Sequence, residues 1–291
     1  MTTTTPQMPL LLGRYRPLGL IARGGMSSLF RAHDERLDRE VAVKIFSSSS
    51  ASDLEAHHIE VRSLAALNTH HGIVSIVDAG LDDSTPGDPR PIVVMELVPG
   101  ESLASALTHR SLSRRAIAEI AYDLSECLEY VHAHGIIHRD ITPANVMLVD
   151  YGTSIARARA RLTDFGIALD LDAARRETVT GTTTGTAAYL SPERVRQEPL
   201  TPASDIYSLG LVLLECFTGT PAFPMKDQTV SLSARLAEDP AIPSDLPDNW
   251  SALLRDMTAR SPAERPTAVE LTPAFRQAVI DTSGRRRAGE D

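Results

Sequence analysis

The spacing of apolar residues changes partway along this 291-residue chain, and that change limits what it can fold into. Up to Leu97 the apolar runs are short and bounded by turn residues. Tyr15 to Phe46 reads as three strands, the clearest being Val41–Phe46 ahead of the Ser47–Ser50 loop. A helix is expected from Asp53 to Leu67, with Asp53 as its cap and Ile59, Leu64 and Leu67 near one face. Ile73–Val77 and Ile92–Leu97 read as further strands, with the acidic, Pro- and Gly-bearing stretch Asp82–Pro91 as a surface loop.

Pro99-Gly100 marks a turn, and beyond it the period is that of helices. Ser113–His134 carries Ile117, Ile120, Leu124, Leu128 and Val131 at three- and four-residue steps, and Gly135 stops it. Ala203–Phe217 repeats the pattern, with Ile206, Leu209, Leu213, Leu214 and Phe217 inward. Later helices are expected at Trp250–Ala259 and Thr267–Ile280. The reading is an α+β chain: a loose start at 1–12, a small β-rich lobe at 13–98, a larger helical lobe at 99–281, and a polar tail at 282–291.

The formal charge of −9 argues against sequence-independent nucleic-acid binding, which needs a basic surface. The longest apolar run, Leu209–Leu214, is far short of the roughly 20 residues that span a bilayer. Met1–Pro9 lacks the layout of a signal peptide. Cys127 and Cys216 lie inside apolar helical patterns and read as small core residues, so a cytoplasmic location is expected. The nine histidines lack companion cysteines at ligand spacing, which argues against a structural zinc site.

Five segments carry chemistry. In His138-Arg139-Asp140-Ile141-Thr142-Pro143-Ala144-Asn145, an acid and an amide five positions apart on one loop can face the same point. Asp140 can orient a hydroxyl and take its proton, and Asn145 offers oxygen to a hard cation. In Asp164-Phe165-Gly166 a strand end delivers a second carboxylate that can hold Mg²⁺. Lys44 stands in an otherwise apolar strand, where it is costly unless aimed at an anion, and Glu60 on the following helix is its expected partner. Arg23-Gly24-Gly25-Met26-Ser27 lets backbone N–H groups approach phosphates, although alone such a pair is a hairpin turn. Gly185-Thr186 to Ser191-Pro192-Glu193 comes after a stretch, Thr178–Thr184, holding five threonines, a candidate phosphorylation switch with Arg139 placed to hold the phosphate.

In this order the segments resemble the eukaryotic-like Ser/Thr protein kinases of bacteria, most of all the actinobacterial receptor-type branch, from Ile21 to about Pro273. The resemblance implies a two-lobed protein-kinase fold with ATP between the lobes, and ATP and Mg²⁺ (or Mn²⁺) as cofactors. It implies Lys44 on the α- and β-phosphates with Glu60 pairing it, Asp140 as catalytic base, and Asn145 and Asp164 as metal ligands. Ile21, Ala22, Gly24, Gly25, Leu29 and Ala42 would cover the nucleotide, with Met95 as gatekeeper and Glu96 to Val98 as the hinge that bonds adenine. Asp205 would brace the catalytic loop, and Glu193 with Arg265 would anchor the activation segment. Thr178 and Thr180 match the usual autophosphorylation sites, which implies protein substrates and pairing of two copies for autophosphorylation.

Four features depart from the family pattern. The first glycine of the phosphate loop is Ala22, and the valine after it is Leu29. The segment between Asn145 and Asp164 is longer than usual, which reads as a longer hairpin with Arg157, Arg159 and Arg161 on a solvated edge. The catalytic-loop lysine is Thr142. In these kinases that lysine touches the transferring phosphate, and losing such a contact costs on the order of 2–4 kcal/mol. Thr142→Lys is therefore expected to raise turnover; unchanged turnover would mean that another cation already supplies the charge or that the chemical step is not limiting. Thr142 and Ala22 favour the alternative of a weakly active or inactive kinase-fold scaffold that binds nucleotide. Lys44, Glu60, Asp140, Asn145 and Asp164 together favour catalysis.

Overall fold

The computed structural model describes residues 9–24, 27–47, 66–85, 87–150, 152, 159–165, 186–223 and 228–284. It divides into two compact units. The first contains residues up to Thr69 and Val74–Val98; the second contains His70–Ile73, Pro99–Gly166 and the chain from Thr178 onward.

The first unit is built on one antiparallel sheet: β1 (Tyr15–Arg23), β2 (Ser27–Asp34), β3 (Arg39–Phe46), β4 (Ile76–Asp82) and β5 (Arg90–Glu96), in the order β1-β2-β3-β5-β4. Period-two alternation sends Val41, Val43 and Ile45 into the core with Leu11, Tyr15, Ala32, Ile92 and Val94. It turns Ala42 and Lys44 to the other face. The segment before β1 is not loose from Leu11 onward: Leu11 is buried, and Leu12 N–H donates to Asp82 Oδ1 at 2.8 Å. Arg14 grips both oxygens of buried Asp34 at 2.7 Å, which holds the pKa of that carboxyl down at about 2.

Two expectations in this stretch need correction. The strand expected at Ile73–Val77 is β4, which starts at Ile76 and runs on to Asp82. Ile73 falls instead in the second unit, where it makes an isolated bridge to Leu162. The loop expected at Asp82–Pro91 is shorter, because Asp82 pairs with Arg90 and Leu81 with Pro91. Acidic residues are poor strand formers, but here each has a partner. Asp78 accepts the Tyr15 hydroxyl at 2.7 Å, and Asp82 accepts Leu12 N–H and the Ser84 hydroxyl. The helix expected at Asp53–Leu67 lies outside the described residues except at its end, where Ala66–Thr69 is a 3₁₀ turn.

The second unit has a three-stranded sheet, β6 (Gly100–Ser102), β7 (Val146–Val149) and β8 (Arg159–Leu162), among helices. These are α1 (Leu103–His109), α2 (Arg114–Ala133), α3 (Pro192–Val195), α4 (Pro202–Thr218), α5 (Gln228–Ala237), α6 (Asp248–Met257) and α7 (Ala268–Gly284). Ser113 caps α2, its hydroxyl accepting Ala116 N–H at 3.2 Å, and Ile117, Ile120, Leu124, Leu128 and Val131 are all buried, as their spacing requires. The helix packs along α7 and against β8. In α4 the sequence Thr201-Pro202-Ala203-Ser204 starts the helix, with Ser204 Oγ accepting Thr201 N–H at 3.3 Å. Its far end, Phe217, is partly buried and meets Trp250 edge-on at 4.9 Å. Helix α7 runs to Gly284, beyond the start expected for the polar tail. Both cysteines are buried, and Cys127 Sγ–H donates to the Gly72 carbonyl at 3.3 Å.

The longer segment after Asn145 is a hairpin, with β7 and β8 paired from Val146↔Leu162 to Val149↔Arg159. Its arginines do not form one solvated edge. Arg159 is partly exposed, but Arg161 is buried and donates to the Ile73 carbonyl; Arg157 lies outside the described residues. Gly100 opens this sheet with φ +130°, and a Cβ there would stand 2.1 Å from the Leu148 carbonyl oxygen. Gly100→Ala is therefore expected to part β6 from β7 and cost about 2–4 kcal/mol, read as a lower midpoint in denaturant unfolding.

Candidate active site

The site's framework in the second unit starts where α2 ends. His134 closes the helix, Gly135 turns with φ +71°, and the chain runs through Ile136-Ile137 into His138. Asp205, in the first turn of α4, is fully buried and organises the loop from His138. Its Oδ2 accepts His138 N–H at 2.8 Å and lies 2.9 Å from His132 Nε2; its Oδ1 accepts Arg139 N–H at 2.8 Å. A helix N-terminus favours a carboxylate, and N–H donors on both oxygens fix its direction. Arg139 is held in a conformation it would not choose freely: its φ is +68°. The Asp205 contact on one side and the Arg194 guanidinium on its carbonyl oxygen hold that conformation.

His138 is buried, and the neighbours of its ring define its state. Nδ1 accepts Asp140 N–H at 3.3 Å, and Nε2 lies 3.1 Å from the Thr163 carbonyl. Only a neutral ring protonated at Nε2 satisfies both contacts, and burial pushes the ring's pKa down in the same direction. Its ring lies 4.5 Å from that of Phe165. His138 thus ties the loop to the Thr163-Asp164-Phe165 strand end as packing and hydrogen-bond scaffold.

Asp140 and Asn145 are joined directly. Asn145 Nδ2 donates to the Asp140 carbonyl and to Asp140 Oδ2, each at 2.8 Å. Asp140 Oδ1 is buried with no hydrogen-bond partner among the described residues. Burial raises the pKa of this carboxyl, and the charge of Arg194 is foremost among the influences that lower it. Thr163 N–H donates to the Asn145 carbonyl at 3.0 Å, so the next residue, Asp164, stands beside Asn145. Asp164 itself turns with φ +58°. With its amide nitrogen committed to Asp140, Asn145 keeps its amide oxygen for another partner. Hard oxygen donors on neighbouring residues fit a small divalent cation.

A second anchored segment lies at residues 187–195. Glu193 in α3 takes both arms of Arg265, at 2.8 and 2.9 Å, and the Ser204 hydroxyl at 2.6 Å. Arg265 also donates to the carbonyls of Ala259, Ala203 and Arg260, and lies over the Tyr207 ring. Arg235 of α5, fully buried, donates to the carbonyls of Ala187 and Ala188. The Tyr189 hydroxyl donates to Glu215. The segment is in this way bound to α4, α5 and the chain before α7. Motif position makes Glu193 and Arg265 legible in the sequence. Arg194 and Arg235 are not, because an arginine within a helical pattern reads as solvent-facing until its carbonyl partners are seen.

In the first unit, Lys44 lies opposite Leu29 and Val93, and Ala42 opposite Arg31 and Met95. Ala22 pairs with Leu29 across a register irregularity at Ile21, which is exposed. The face away from the core thus carries Ala22, Leu29, Ala42, Lys44 and Met95. Lys44 Nζ lies 5.5 Å from the centre of the Phe46 ring. Gly24 N–H donates to the Ser27 carbonyl at 2.8 Å, closing the β1–β2 turn. Glu96 ends β5, its Oε1 accepting Ser75 N–H at 2.9 Å, and Val98 lies two residues on. Gly25, Glu60, Gly166, Thr178 and Thr180 lie outside the described residues.

Nothing in the residue spacing joins His70, His71 and Glu126, yet their ligand atoms lie within 4.8 Å of one another. They already have partners: His70 Nδ1 accepts Gly72 N–H at 3.1 Å, and Glu126 Oε1 accepts the Tyr122 hydroxyl at 3.2 Å. Among the described residues, no helix is long and apolar enough to cross a membrane.

A β-sheet unit and a helical unit, with the acid–amide loop and the second aspartate after a strand, are the elements of a protein-kinase domain. The chain belongs to the protein kinase domain family, which matches residues 15–274. It is 38% identical over 260 residues to the serine/threonine-protein kinase PknA of Mycobacterium tuberculosis, covering 88% of this chain and 58% of that protein. It is also 38% identical over 279 residues to the serine/threonine-protein kinase PknB of Mycolicibacterium smegmatis, covering 92% of this chain and 43% of that protein. The chain spans about half the length of these curated relatives.

Proposed function

We propose that this chain is a serine/threonine protein kinase that transfers the ATP γ-phosphate to protein hydroxyls with Mg²⁺ or Mn²⁺, residues 13–98 and 99–281 forming its lobes. The observation that carries the reading is the pairing of Asp140 with Asn145 and, through Thr163, with Asp164. A substrate hydroxyl takes the hydrogen-bonding position at Asp140 Oδ1. Asp140 orients that oxygen and accepts its proton as the oxygen attacks phosphorus. Asn145 and Asp164 hold the divalent ion, whose charge offsets that of the phosphates. Lys44, with Glu60, holds the α- and β-phosphates. Ile21, Ala22, Gly24, Gly25, Leu29, Ala42 and Met95 enclose the nucleotide, and the backbone from Glu96 to Val98 bonds adenine. Thr178 and Thr180 are phosphorylated by a second copy of the chain.

Labelled ATP and Mg²⁺ with a generic protein substrate test this. Asp140→Asn is expected to lower phosphate transfer by roughly 10²–10⁴-fold while leaving the melting temperature nearly unchanged. Equal transfer by the two proteins would refute the assignment.

A further inference from the structure

The catalytic loop has Thr142 where a lysine is expected, and Thr142 is buried at the head of the Pro143–Asn145 turn. A cation does stand at the loop, but it comes from elsewhere in the sequence. Arg194, the residue after the Glu193 anchor, donates through Nη1 to the Arg139 carbonyl oxygen. That carbonyl belongs to the peptide joining Arg139 to Asp140. Standard bond lengths then place the guanidinium nitrogen within roughly 6 Å of the Asp140 Cα.

We propose that Arg194 is the positioning residue that brings to the loop, beside Asp140, the positive charge that a lysine at position 142 would otherwise bring there. The inference rests on the kinase reading of the site. Three features support it. The hydrogen bond fixes the guanidinium on the one peptide whose neighbours carry the acid and the left-handed turn. Partly buried Arg194, whose pKa burial lowers, is attracted by both Asp140 and Asp205, against repulsion from Arg139. Glu193, immediately before it, is locked by Arg265 and Ser204, so the cation is held from a rigid base. The charge therefore depends on residues 187–195 being seated, whereas a lysine inside the loop would be present regardless. Seating of that segment and competence of Asp140 become one event.

The test compares four versions of the whole chain: unaltered, Thr142→Lys, Arg194→Met, and the double variant Thr142→Lys/Arg194→Met. Turnover and the KM for ATP are measured on a generic protein substrate, with melting temperatures alongside. Arg194→Met is expected to lower turnover by about 10- to 100-fold with the KM for ATP changed by less than about twofold. Thr142→Lys is expected to restore most of that loss in the double variant and to change the unaltered chain by less than about twofold, because the charge is already supplied. A merely structural role for Arg194 would not be rescued by a lysine at another position. If Arg194→Met does not fold, the single variant Thr142→Lys still decides: a rise of about tenfold or more shows that the charge was missing and overturns the proposal. Loss in Arg194→Met without rescue in a folded double variant, or no loss at all, overturns it too. An unaltered chain no more active than Asp140→Asn refutes the kinase reading and this inference together. Activity in the unaltered chain with either of the other negative results refutes this inference alone.

Discussion

Asp205→Ala is expected to destabilise the second unit by about 3–5 kcal/mol and to remove phosphate transfer. The carboxylate is buried at the start of α4 and serves His138 N–H, Arg139 N–H and His132 Nε2. Alanine leaves these donors facing a space that holds no acceptor. Each unpaired buried donor costs about 1–3 kcal/mol, and no compensating desolvation of Asp205 is recovered in full because the helix N-terminus also loses its anion. Catalysis suffers separately, since the left-handed Arg139 loses one of the contacts that hold it. Asp205→Asn keeps one acceptor oxygen but turns an amide N–H₂ toward an N–H, so its loss should be intermediate. Denaturant unfolding of the three proteins, with turnover measured well below the unfolding range, separates the two effects. Unchanged stability in Asp205→Ala would show that the loop holds its shape by other means.

The second large effect belongs to Glu193 and Arg265. Burial alone would push the pKa of the Glu193 carboxyl up, but the hydrogen bonds from Arg265 and Ser204 outweigh it and hold the group at about 2. In the unfolded chain it returns to its ordinary value near 4.5. Stability from this pair is therefore fully present above about pH 4.5 and is lost as pH falls toward about 2, a change of up to about 3 kcal/mol. Asp34 adds an acid-sensitive contribution of the same sign in the first unit. Arg265→Met isolates the contribution of the second unit. It should cost about 3–5 kcal/mol near neutral pH, because it leaves a buried carboxylate unpaired. It should also reverse the Glu193 contribution, since a buried acid without its cation prefers to be protonated and folds better as pH falls. Unfolding free energies of both proteins across roughly pH 3 to 7 give the comparison. Parallel curves would show that Glu193 does not carry the linkage.

The parts of this fold legible in the sequence are those where one residue pattern satisfies one element. Strand β3 sends Val41, Val43 and Ile45 into one core cluster, as a period of two requires; α2 repeats Ile117, Ile120, Leu124, Leu128 and Val131 and buries every one. The catalytic loop is legible because its chemistry needs fixed residue types at fixed spacing. The remainder depends on partners distant in sequence. Strand β4 holds Asp78 and Asp82, which local propensity would place in a loop, and it forms because Tyr15, Leu12 and Ser84 supply donors. Arg161 reads as solvated on an alternating edge, but the Ile73 carbonyl draws it inside. Arg194 carries no motif of its own. Its place at Arg139 is set by Glu193 beside it and by Arg265, 72 positions from Glu193.

The Cys127 contact with Gly72 also bears on how this chain meets electrophiles. Burial pushes both thiols well above their ordinary range, and the thiolate is the reactive form. Cys127 further commits its hydrogen to a carbonyl, at the same Gly72 oxygen that accepts Leu162 N–H at the end of β8. Peroxide signals and alkylating inhibitors would thus find neither sulfur in a folded chain. Ligands designed to bond covalently to this protein need another nucleophile.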